Sequence, residues 1–411
     1  MTTPDSRKIA RFLVPARRDG DVPAEIFIHF QGSDVEKVKK AYLNGVSRFH
    51  LERDMLSGEA ELIGKPSSVF IDRGYLHLRF PSADVTIPLG DVSEELYDAI
   101  NYSWLYIRVH RSGKYVNARE IRPLILRKKT EYGKELWEYC VQNDVGFSEI
   151  ITIAYGYHPK DLDFNFLMML RFLAAVKVAG VPFHYLELSP PNTGKTTFAV
   201  RNTFAFNWYY IDEAPSYANL IMNAKTNALG AVYRSDGIVI DEIDKYGNEL
   251  QDAIQIMLTG MSHGLWTRAK GDRPPPKVVR WIPIVLFGNT SSQRFIDDIR
   301  NTMADILIAN KMKESVVTPL LDRISLIVLV NKQLNASDLV SGYVIPDTIL
   351  KSFADYISEN TVLKEHEQCA EFQGRRKDQC NRLFSVLEWT YCREADCEKQ
   401  PSSSLVKGIL I

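Results

Sequence analysis

The 411-residue chain is poor in cysteine, has no excess of either charge, and contains no apolar run that could cross a membrane without carrying charges. Five cysteines without a C-x₂-C pair are too few for the disulfide framework of a small secreted protein. The first residues also lack the pattern of a secretory signal. We therefore expect a cytoplasmic protein in a reducing environment.

Charge and hydropathy narrow the possible partners. Lysine and arginine number 50 against 51 acidic residues, so any contact with nucleic acid must be local. The most apolar stretch, residues 164–181, carries Arg171 and Lys177 where the core of a bilayer would lie. It predicts a buried or amphipathic helix, and no contact with a membrane is expected.

Residues 189–196 read Ser-Pro-Pro-Asn-Thr-Gly-Lys-Thr, which predicts a phosphate-binding loop. The apolar run 183–188 before it is typical of a buried strand, and residues 197–200 can open a helix. In such a loop Lys195 reaches the β- and γ-phosphates of ATP and the Thr196 hydroxyl ligates Mg²⁺. The predicted nucleotide-binding residues are Pro191, Asn192, Thr193, Gly194, Lys195, Thr196 and Thr197.

Ser189 stands where this motif normally has its first glycine. Glycine is favoured at a position that needs φ > 0 or a close approach of the backbone. We therefore expect serine to allow the turn at some conformational cost.

A second apolar run, residues 237–240, ends in the carboxylates of Asp241 and Glu242. Such a run is typical of a buried parallel strand, and ligands bind at the carboxyl ends of these strands. We expect Asp241 to hold Mg²⁺, mostly through water, and Glu242 to orient or deprotonate the attacking water. The alternative is a solvated strand end without a catalytic role.

Two further positions have a polar residue next to an apolar run. Asn289 follows the run 282–287 and could bind the attacking water or the γ-phosphate, or could merely cap a turn. Arg323 precedes the run 326–330, and it could complete the nucleotide site of a neighbouring subunit as an arginine finger. The alternative for Arg323 is a surface ion pair with Asp322 or another acidic residue.

The order of Lys195, Asp241 with Glu242, Asn289 and Arg323 resembles the AAA+ superfamily of P-loop ATPases. The resemblance covers about residues 180 to 335. It implies ATP and Mg²⁺ as cofactors, and a homo-oligomeric ring, usually a hexamer, with nucleotide bound between subunits. The predicted fold class is α/β, with a P-loop core built on a parallel sheet.

Residues 264–281 predict a β-hairpin with a basic tip, just before the strand that ends at Asn289. Hairpins at this place occur in some AAA+ groups, and in the helicases among them they grip nucleic acid in the central pore. Cations contact phosphates without reading sequence, and the hairpin supplies Arg268, Lys270, Arg273 and Lys277. The alternative is a surface hairpin whose charges serve solubility.

The subgroup of the resemblance stays open between two branches. The loop 190–195 is similar to that of superfamily III helicases of small DNA viruses. Residues 241–244 and 320–324 are more similar to the minichromosome-maintenance and Lon-like ATPases. Residues 336–411 are too few for a Lon-type protease domain, so we expect no protease in the chain.

We predict three domains: a β-rich N-terminal domain (1–145), the ATPase core (146–335) and a helical C-terminal lid (336–411). Residues 102–129 combine basic and aromatic side chains, which favours a nucleic-acid surface or, equally, a solvated sheet face. The N-terminal domain could also recruit a protein. In the lid, Cys369, Cys380, Cys392 and Cys397 could bind zinc, but we favour ordinary helical cysteines.

The predicted function is a ring-forming ATPase that translocates on DNA, as a helicase. A protein remodeller would favour an aromatic grip, for which Trp266 in the hairpin is available. A third possibility is a DNA-binding ring in defence or regulation, whose nucleotide resets its assembly and which unwinds nothing.

Overall fold

The computed structural model describes residues 14–15, 35–66, 68–93, 96–97, 100, 104–113, 115–124, 130–211, 215–216, 220–221, 230–267, 277–290, 299–330, 334–391 and 409–410. The chain forms two compact units. The N-terminal unit comprises residues 15–128 and 222–235, and the P-loop unit comprises residues 1–14, 129–221 and 236–411.

The N-terminal unit contains a six-stranded sheet in the order β2-β6-β7-β5-β4-β3. Its strands pair antiparallel except for β5 and β7, which are parallel. Apolar residues alternate along β4, so that Leu76 and Leu78 are buried in the core and their neighbours face outward. Up to residue 124 the elements in chain order are β1 (Val14–Pro15), α1 (Val35–Val46), α2 (Arg48–Met55), β2 (Glu59–Gly64), β3 (Ser68–Asp72), β4 (Tyr75–Arg79), β5 (Asp84–Pro88), β6 (Trp104–Ser112) and β7 (Tyr115–Leu124).

The P-loop unit is built on a six-stranded sheet in the order β11-β12-β15-β10-β16-β18. The first five strands are parallel, and β18 pairs antiparallel with β16. Its strands are β8 (Lys177–Val178), β9 (Val181–Pro182), β10 (Tyr185–Ser189), β11 (Trp208–Ile211), β12 (Gly237–Ile240), β13 (Leu265–Thr267), β14 (Lys277–Val279), β15 (Ile284–Asn289), β16 (Leu326–Leu329), β17 (Tyr343–Val344) and β18 (Ile409–Leu410). The predicted α/β fold with a parallel sheet is confirmed.

Helices cover this sheet, as the continuous apolar character of its strands requires. The helices of the P-loop unit are α3 (Thr130–Gln142), α4 (Phe147–Ala154), α5 (Leu162–Leu173), α6 (Lys195–Ala205), α8 (Ile243–His263), α9 (Ile299–Ala309), α10 (Glu314–Leu321), α11 (Asp347–Asn360) and α12 (Gly374–Tyr391), while α7 (Ala231–Arg234) belongs to the N-terminal unit. Helix α5 is buried almost throughout, which confirms a buried helix for the first part of residues 164–181. The helix ends at Leu173, and the later residues of that range form the short strand β8 and the start of β9 instead, so the predicted helix is wrong there. No helix among the described residues is long and apolar enough to cross a membrane.

Helix α3 lies in the P-loop unit, whereas the sequence placed residues 130–145 in the N-terminal domain. The backbones of α3 and α11 touch at Gly133, where an added Cβ would lie 2.3 Å from the carbonyl oxygen of Ser352. Trp137 of α3 packs against Phe353 of α11 and stacks on Trp389 of α12, with ring centroids 4.9 Å apart in the stacked pair. Contacts between segments that are distant in sequence leave no local pattern. The sequence therefore could not show that α3 belongs to the P-loop unit.

The segment 336–391 contains two longer helices, α11 and α12. The apolar face predicted for α11 is confirmed, since its four members are buried: Leu350, Phe353, Ala354 and Ile357. A disulfide joins Cys369 and Cys380, so the expectation of ordinary helical cysteines is wrong for this pair. The disulfide also removes two of the four cysteines that the zinc alternative needs and weakens the inference of a reducing environment. Cys392 and Cys397 lie outside the described residues.

Candidate functional site

The carboxyl ends of β10, β12 and β15 bring three of the predicted motifs to one edge of the sheet. Strand β15 lies between β10 and β12, and Ser189 at the end of β10 is in register with Asn289 at the end of β15. The loop 190–194 continues from β10, and Asp241 directly follows β12. Parallel strands make this convergence possible, because their carboxyl ends share an edge.

Lys195 is the first residue of α6, and its ammonium group lies inside the loop. The Nζ atom donates to Ser189 Oγ at 2.8 Å and to the carbonyl oxygen of Pro190 at 3.0 Å, with Ser189 O at 3.3 Å and Thr193 Oγ1 at 3.5 Å. The side chain is only 6% exposed. Burial lowers the pKa of Lys195, while the carboxylate of Glu187 opposes that shift.

The loop places its positive φ angles at Asn192 (65°) and Gly194 (79°), whereas Ser189 has none. The expected cost of serine at position 189 is therefore wrong, because that residue ends a regular strand and its hydroxyl binds Lys195. Asparagine tolerates the left-handed region better than most residues. At Gly194 an added Cβ would also lie 2.8 Å from the hydroxyl oxygen of Tyr157, so glycine is needed there for two reasons.

Asp241 is nearly buried and accepts three hydrogen bonds at the edge of the sheet. Its Oδ2 accepts from the Thr196 hydroxyl at 2.9 Å and from the Tyr210 hydroxyl at 3.1 Å, and its Oδ1 accepts from the Glu242 N–H at 2.9 Å. The structure thus joins the two residues predicted to hold the metal. Tyr210 was missed by the sequence analysis, although the aromatic run of β11 carries it next to β12.

Glu242 adopts a left-handed backbone conformation, with φ 55° and ψ 38°. For a residue other than glycine this costs on the order of 1 to 3 kcal/mol, and such residues concentrate at functional sites. The turn directs the chain from β12 into α8. The Glu242 carboxylate is partly exposed and pairs with Lys245 at 2.6 Å.

Asn289 is held at the end of β15 by a residue to which the sequence assigned no role. Its backbone N–H donates to Asp244 Oδ1 at 2.8 Å, while Thr290 N–H donates to the carbonyl oxygen of Ser189 at 3.2 Å. No hydrogen bond of the Asn289 side-chain amide is found among the described residues. Asn289 lies at the same edge of the sheet as the phosphate-binding loop, because it is in register with Ser189.

Arg323 lies at the opposite edge of the sheet from the loop, since it precedes β16, whose first residue pairs with the first residue of β10. Its Nε donates to Ser262 Oγ at 2.6 Å and to the carbonyl oxygen of Leu258 at 3.0 Å, and one terminal nitrogen donates to Pro319 O at 2.7 Å. Burial lowers its pKa. The alternative of a pair with Asp322 is not what holds this side chain, because Asp322 contacts Arg300 and Arg376.

The donor set at this edge fits a nucleotide with a divalent cation. Hard oxygen ligands suit Mg²⁺, and the Thr196 hydroxyl and the Asp241 carboxylate supply them within hydrogen-bond distance of each other. The loop and the first turn of α6 provide the backbone N–H groups and the ammonium group that phosphates require.

The predicted hairpin is present as the antiparallel pair β13 and β14, with Thr267 opposite Lys277. Trp266 is fully buried, and its Nε1 donates to the carbonyl oxygen of Arg280 at 3.0 Å. It packs on Gly260, so it cannot serve as an exposed aromatic grip. Of the four basic residues, Lys277 begins β14, while Arg268, Lys270 and Arg273 lie outside the described residues.

Acidic side chains contact Arg108, Arg111 and Arg119 of the N-terminal sheet. Arg108 contacts Glu120 at 3.3 Å, and Arg119 contacts Glu59. Arg122 lies over the ring of Tyr106, which belongs to the core. These contacts favour the solvated sheet face over a nucleic-acid surface for the described part of residues 102–129.

Comparison with known proteins covers the same residues. A profile of the family described as "Lon-like protease BrxL-like, ATPase domain" matches residues 141–387. The uncharacterized protein ORF425 of Acidianus filamentous virus 2 (isolate Italy/Pozzuoli) is 41% identical over 400 residues, covering 92% of this chain and 94% of the viral protein. The uncharacterized protein 440 of Sulfolobus islandicus rod-shaped virus 1 is 26% identical over 311 residues, covering 73% and 69% of the two chains.

Proposed function

Since this chain belongs to the family of BrxL-like ATPase domains, which is of the AAA+ type, we propose that it forms a ring and couples ATP hydrolysis to movement along DNA. The observation that carries the ATPase site is the hydrogen bond of 2.9 Å between the Thr196 hydroxyl and the Asp241 carboxylate. This hydrogen bond joins the first turn after the phosphate-binding loop to the carboxyl end of β12, although Thr196 and Asp241 are far apart in sequence.

In the proposed reaction, the backbone N–H groups of the loop and Lys195 bind the phosphates of ATP. Thr196 and Asp241 would hold Mg²⁺, which would supply positive charge to the phosphate oxygens. Glu242 orients the attacking water and takes its proton. The Asn289 amide binds the γ-phosphate or that water.

Arg323 completes the site of a neighbouring subunit in this proposal. Strand β10 has five residues at about 3.3 Å each, so the sheet separates Arg323 from its own loop by more than about 15 Å. An arginine at that distance cannot reach the phosphates bound in its own chain. Nucleotide between subunits of a homo-oligomeric ring, which we propose is a hexamer, would bring it close.

The proposed DNA contact is the tip of the hairpin β13–β14, with Arg268, Lys270, Arg273 and Lys277. The buried Trp266 anchors the base of this hairpin on α8, the helix that begins just after Glu242. A conformational change at the bound nucleotide could therefore be transmitted through α8 to the tip of the hairpin. The N-terminal unit could serve as a collar on DNA or recruit a protein partner.

A Lon-like motor that acts on protein is the second candidate, and the description of the matching family favours it. The burial of Trp266 removes the aromatic grip on which that function would have relied in this chain. A DNA-binding ring in defence or regulation would share the basic hairpin but would not separate strands.

The test is steady-state ATP turnover with and without single-stranded DNA. The wild type is compared with a variant in which Arg268, Lys270, Arg273 and Lys277 are changed to alanine. A matched control changes four exposed lysines elsewhere in the P-loop unit to alanine, namely Lys134, Lys160, Lys313 and Lys364. The Lys195→Ala variant is the background control, because any ATP turnover that remains in it does not come from this site.

We expect DNA to stimulate the wild type and the control but not the hairpin variant, and we expect Lys195→Ala to be inactive at any DNA concentration. Stimulation that weakens steeply with salt would support contacts to phosphates. If DNA does not change the ATP turnover of the wild type or of any variant, we would instead propose that the substrate is a protein. Normal turnover in Lys195→Ala would contradict the assigned ATPase site.

A further inference from the structure

A buried pair of opposite charges lies beneath the phosphate-binding loop. Arg171 of α5 and Glu187 of β10 both have fully buried side chains. The contact is bidentate: Arg171 Nε donates to Glu187 Oε2 at 2.8 Å, and one terminal nitrogen donates to Glu187 Oε1 at 2.7 Å. Burial alone would raise the pKa of Glu187, but the Arg171 charge outweighs it and lowers the pKa, so the pair is ionised.

The remaining donors of Arg171 reach the loop itself. One terminal nitrogen donates to the carbonyl oxygen of Thr193 at 2.9 Å and contacts Met168 Sδ at 3.5 Å, and the other also donates to Thr193 Oγ1 at 3.3 Å. All five N–H groups of the guanidinium are thereby used. Lysine has three donors and no planar fork, so it could not make the same set of contacts.

The contact with the Thr193 carbonyl fixes the direction of the next N–H group. A trans peptide unit is planar and carries its C=O and N–H on opposite sides. When the Thr193 carbonyl points inward to Arg171, the Gly194 N–H must point outward from the buried pair. That is the direction in which a phosphate-binding loop presents its backbone donors.

The same network holds Lys195. The Thr193 hydroxyl, which accepts from Arg171, lies 3.0 Å from Ser189 Oγ. Ser189 Oγ in turn accepts from Lys195 Nζ at 2.8 Å. A chain of polar contacts therefore runs from the buried pair to the ammonium group that the proposed function assigns to the phosphates.

Stability alone does not account for such a pair. Two charges lose their hydration on burial, and replacing a buried ion pair by apolar residues of similar size is often neutral or stabilising. An apolar pair, however, could not hold the Thr193 carbonyl.

We propose that Arg171 and Glu187 are positioning residues that hold the phosphate-binding loop in its nucleotide-binding shape before ATP arrives. This inference rests on the proposed ATPase site. Its measurable consequence is affinity, because a preformed loop loses less conformational entropy when it binds a ligand. Neither residue touches the nucleotide in this proposal.

The test uses the full chain with Arg171→Met, Glu187→Leu and Tyr185→Phe combined. The third change is included because the Tyr185 hydroxyl donates to Glu187 Oε2 at 2.8 Å and would otherwise be left buried without that acceptor. The matched control is Arg382→Met, since Arg382 is also buried, lies over a phenylalanine ring and binds the carbonyl oxygen of Pro182, ahead of β10. The measurements are the Kd of a fluorescent ATP analogue with Mg²⁺ and the thermal midpoint.

We expect the triple variant to fold, with a thermal midpoint near that of the wild type, and to bind the analogue at least about tenfold more weakly. The control should bind as the wild type does. If the triple variant folds and keeps the wild-type Kd, the positioning role is overturned while the ATPase site stands. If the wild type itself does not bind the analogue, the proposed function and this inference fall together.

A second variant decides the question if the triple variant does not fold. Arg171→Lys keeps the charge opposite Glu187 but cannot bind the carboxylate and the Thr193 carbonyl together. We expect it to fold and to bind the analogue several-fold more weakly, roughly between the wild type and the triple variant. A folded Arg171→Lys protein with the wild-type Kd would overturn the inference.

Discussion

At the scale of single residues, Glu242 carries the clearest sign of a catalytic role in its own backbone. It is left-handed at the point where β12 turns into α8, and it follows an aspartate whose carboxylate already binds the Thr196 hydroxyl. Strain of this kind persists only where the surrounding structure enforces it. The turn leaves the Glu242 carboxylate partly exposed and paired with Lys245.

We predict that Glu242→Gln will bind ATP with nearly unchanged affinity but hydrolyse it at least about 100-fold more slowly. The amide keeps the size of the side chain and loses the ability to accept a proton from water. The measurements are the Kd of a fluorescent ATP analogue and single-turnover hydrolysis. Asp252→Asn, an exposed residue on the same helix, is the control and should hydrolyse ATP normally. Fast hydrolysis by Glu242→Gln would remove Glu242 from the mechanism.

His184 is a buried titratable group that ties three elements together. Its Nδ1 accepts from the Ile284 N–H at 3.2 Å, so Nε2 carries the proton and donates to the carbonyl oxygen of Met261 at 3.3 Å. Burial lowers the pKa of His184 to about 3, and the nearby charge of Arg382 acts in the same direction. A second proton would place an N–H of the ring against the N–H of Ile284.

The depressed pKa of His184 predicts a loss of stability in acid. The unfolded chain binds a proton below about pH 6.5 while the folded chain does not, so the contribution is complete above that pH and declines as the pH falls toward 3. At pH 4 the loss should be about 3 kcal/mol. Urea unfolding at pH 7 and pH 4 measures it. In His184→Gln, which does not titrate, the difference between the two pH values should be smaller by that amount, and an equal difference in both proteins would contradict the prediction.

At the scale of elements, helix α8 contacts several of the proposed functional residues and the hairpin. No motif in the sequence indicated that one helix would connect them. Glu242 caps its start, Asp244 in its first turn holds Asn289, and its last turns accept hydrogen bonds from Arg323. The hairpin then follows directly after Gly264. One rigid helix therefore touches the acidic strand end, the strand of Asn289, the proposed finger and the hairpin.

The disulfide between Cys369 and Cys380 predicts a contribution to the stability of the C-terminal segment. It closes a loop with a sequence separation of 11 residues. Restricting the unfolded chain in this way stabilises by about 3 kcal/mol. Reduction of the wild type should lower the free energy of unfolding by that order, measured in urea with and without dithiothreitol. The double variant Cys369→Ser and Cys380→Ser should not respond to the reductant, and a wild type equally insensitive to it would contradict the prediction.

At the scale of the whole molecule, the length of the sheet keeps Arg323 away from its own loop. Lys195 follows the carboxyl end of β10, whereas Arg323 precedes the amino end of the neighbouring strand β16. A single subunit therefore cannot hold a complete site if Arg323 is catalytic. Each complete site in the proposed ring would take Lys195 from one subunit and Arg323 from the next.

We predict that Lys195→Ala and Arg323→Ala chains, each inactive alone, will regain ATP turnover when mixed. In equal mixtures about a quarter of the interfaces would pair an intact loop with an intact finger. Turnover of the mixture relative to the wild type measures this, with mixed rings verified by co-purification of differently tagged chains. Mixing Lys195→Ala with a chain that carries both changes should give no activity. Mixed rings without any rescue would count against a role of Arg323 between subunits.

The P-loop core could be predicted without the structure, because the sequence signals for its elements are local. The run 189–196, the apolar strand ending at Asp241 and the periodicity of α11 each predicted their element, and each element is present. Strands and helices can be predicted from turn residues and from the apolar periodicity within one segment. The edge of the sheet at which the loop and Asp241 meet followed from the same reasoning.

The tertiary structure alone decided the contacts between segments that are distant in sequence. Only the fold brings Arg171 of α5 under the loop, Tyr210 onto Asp241, and Trp266 of the hairpin onto Gly260 of α8. A charged residue in an apolar helix and an aromatic residue in a hairpin look alike whether they face solvent or the core, because burial depends on what packs against them. Local pattern determined which elements form, and packing decided which side chains support the site.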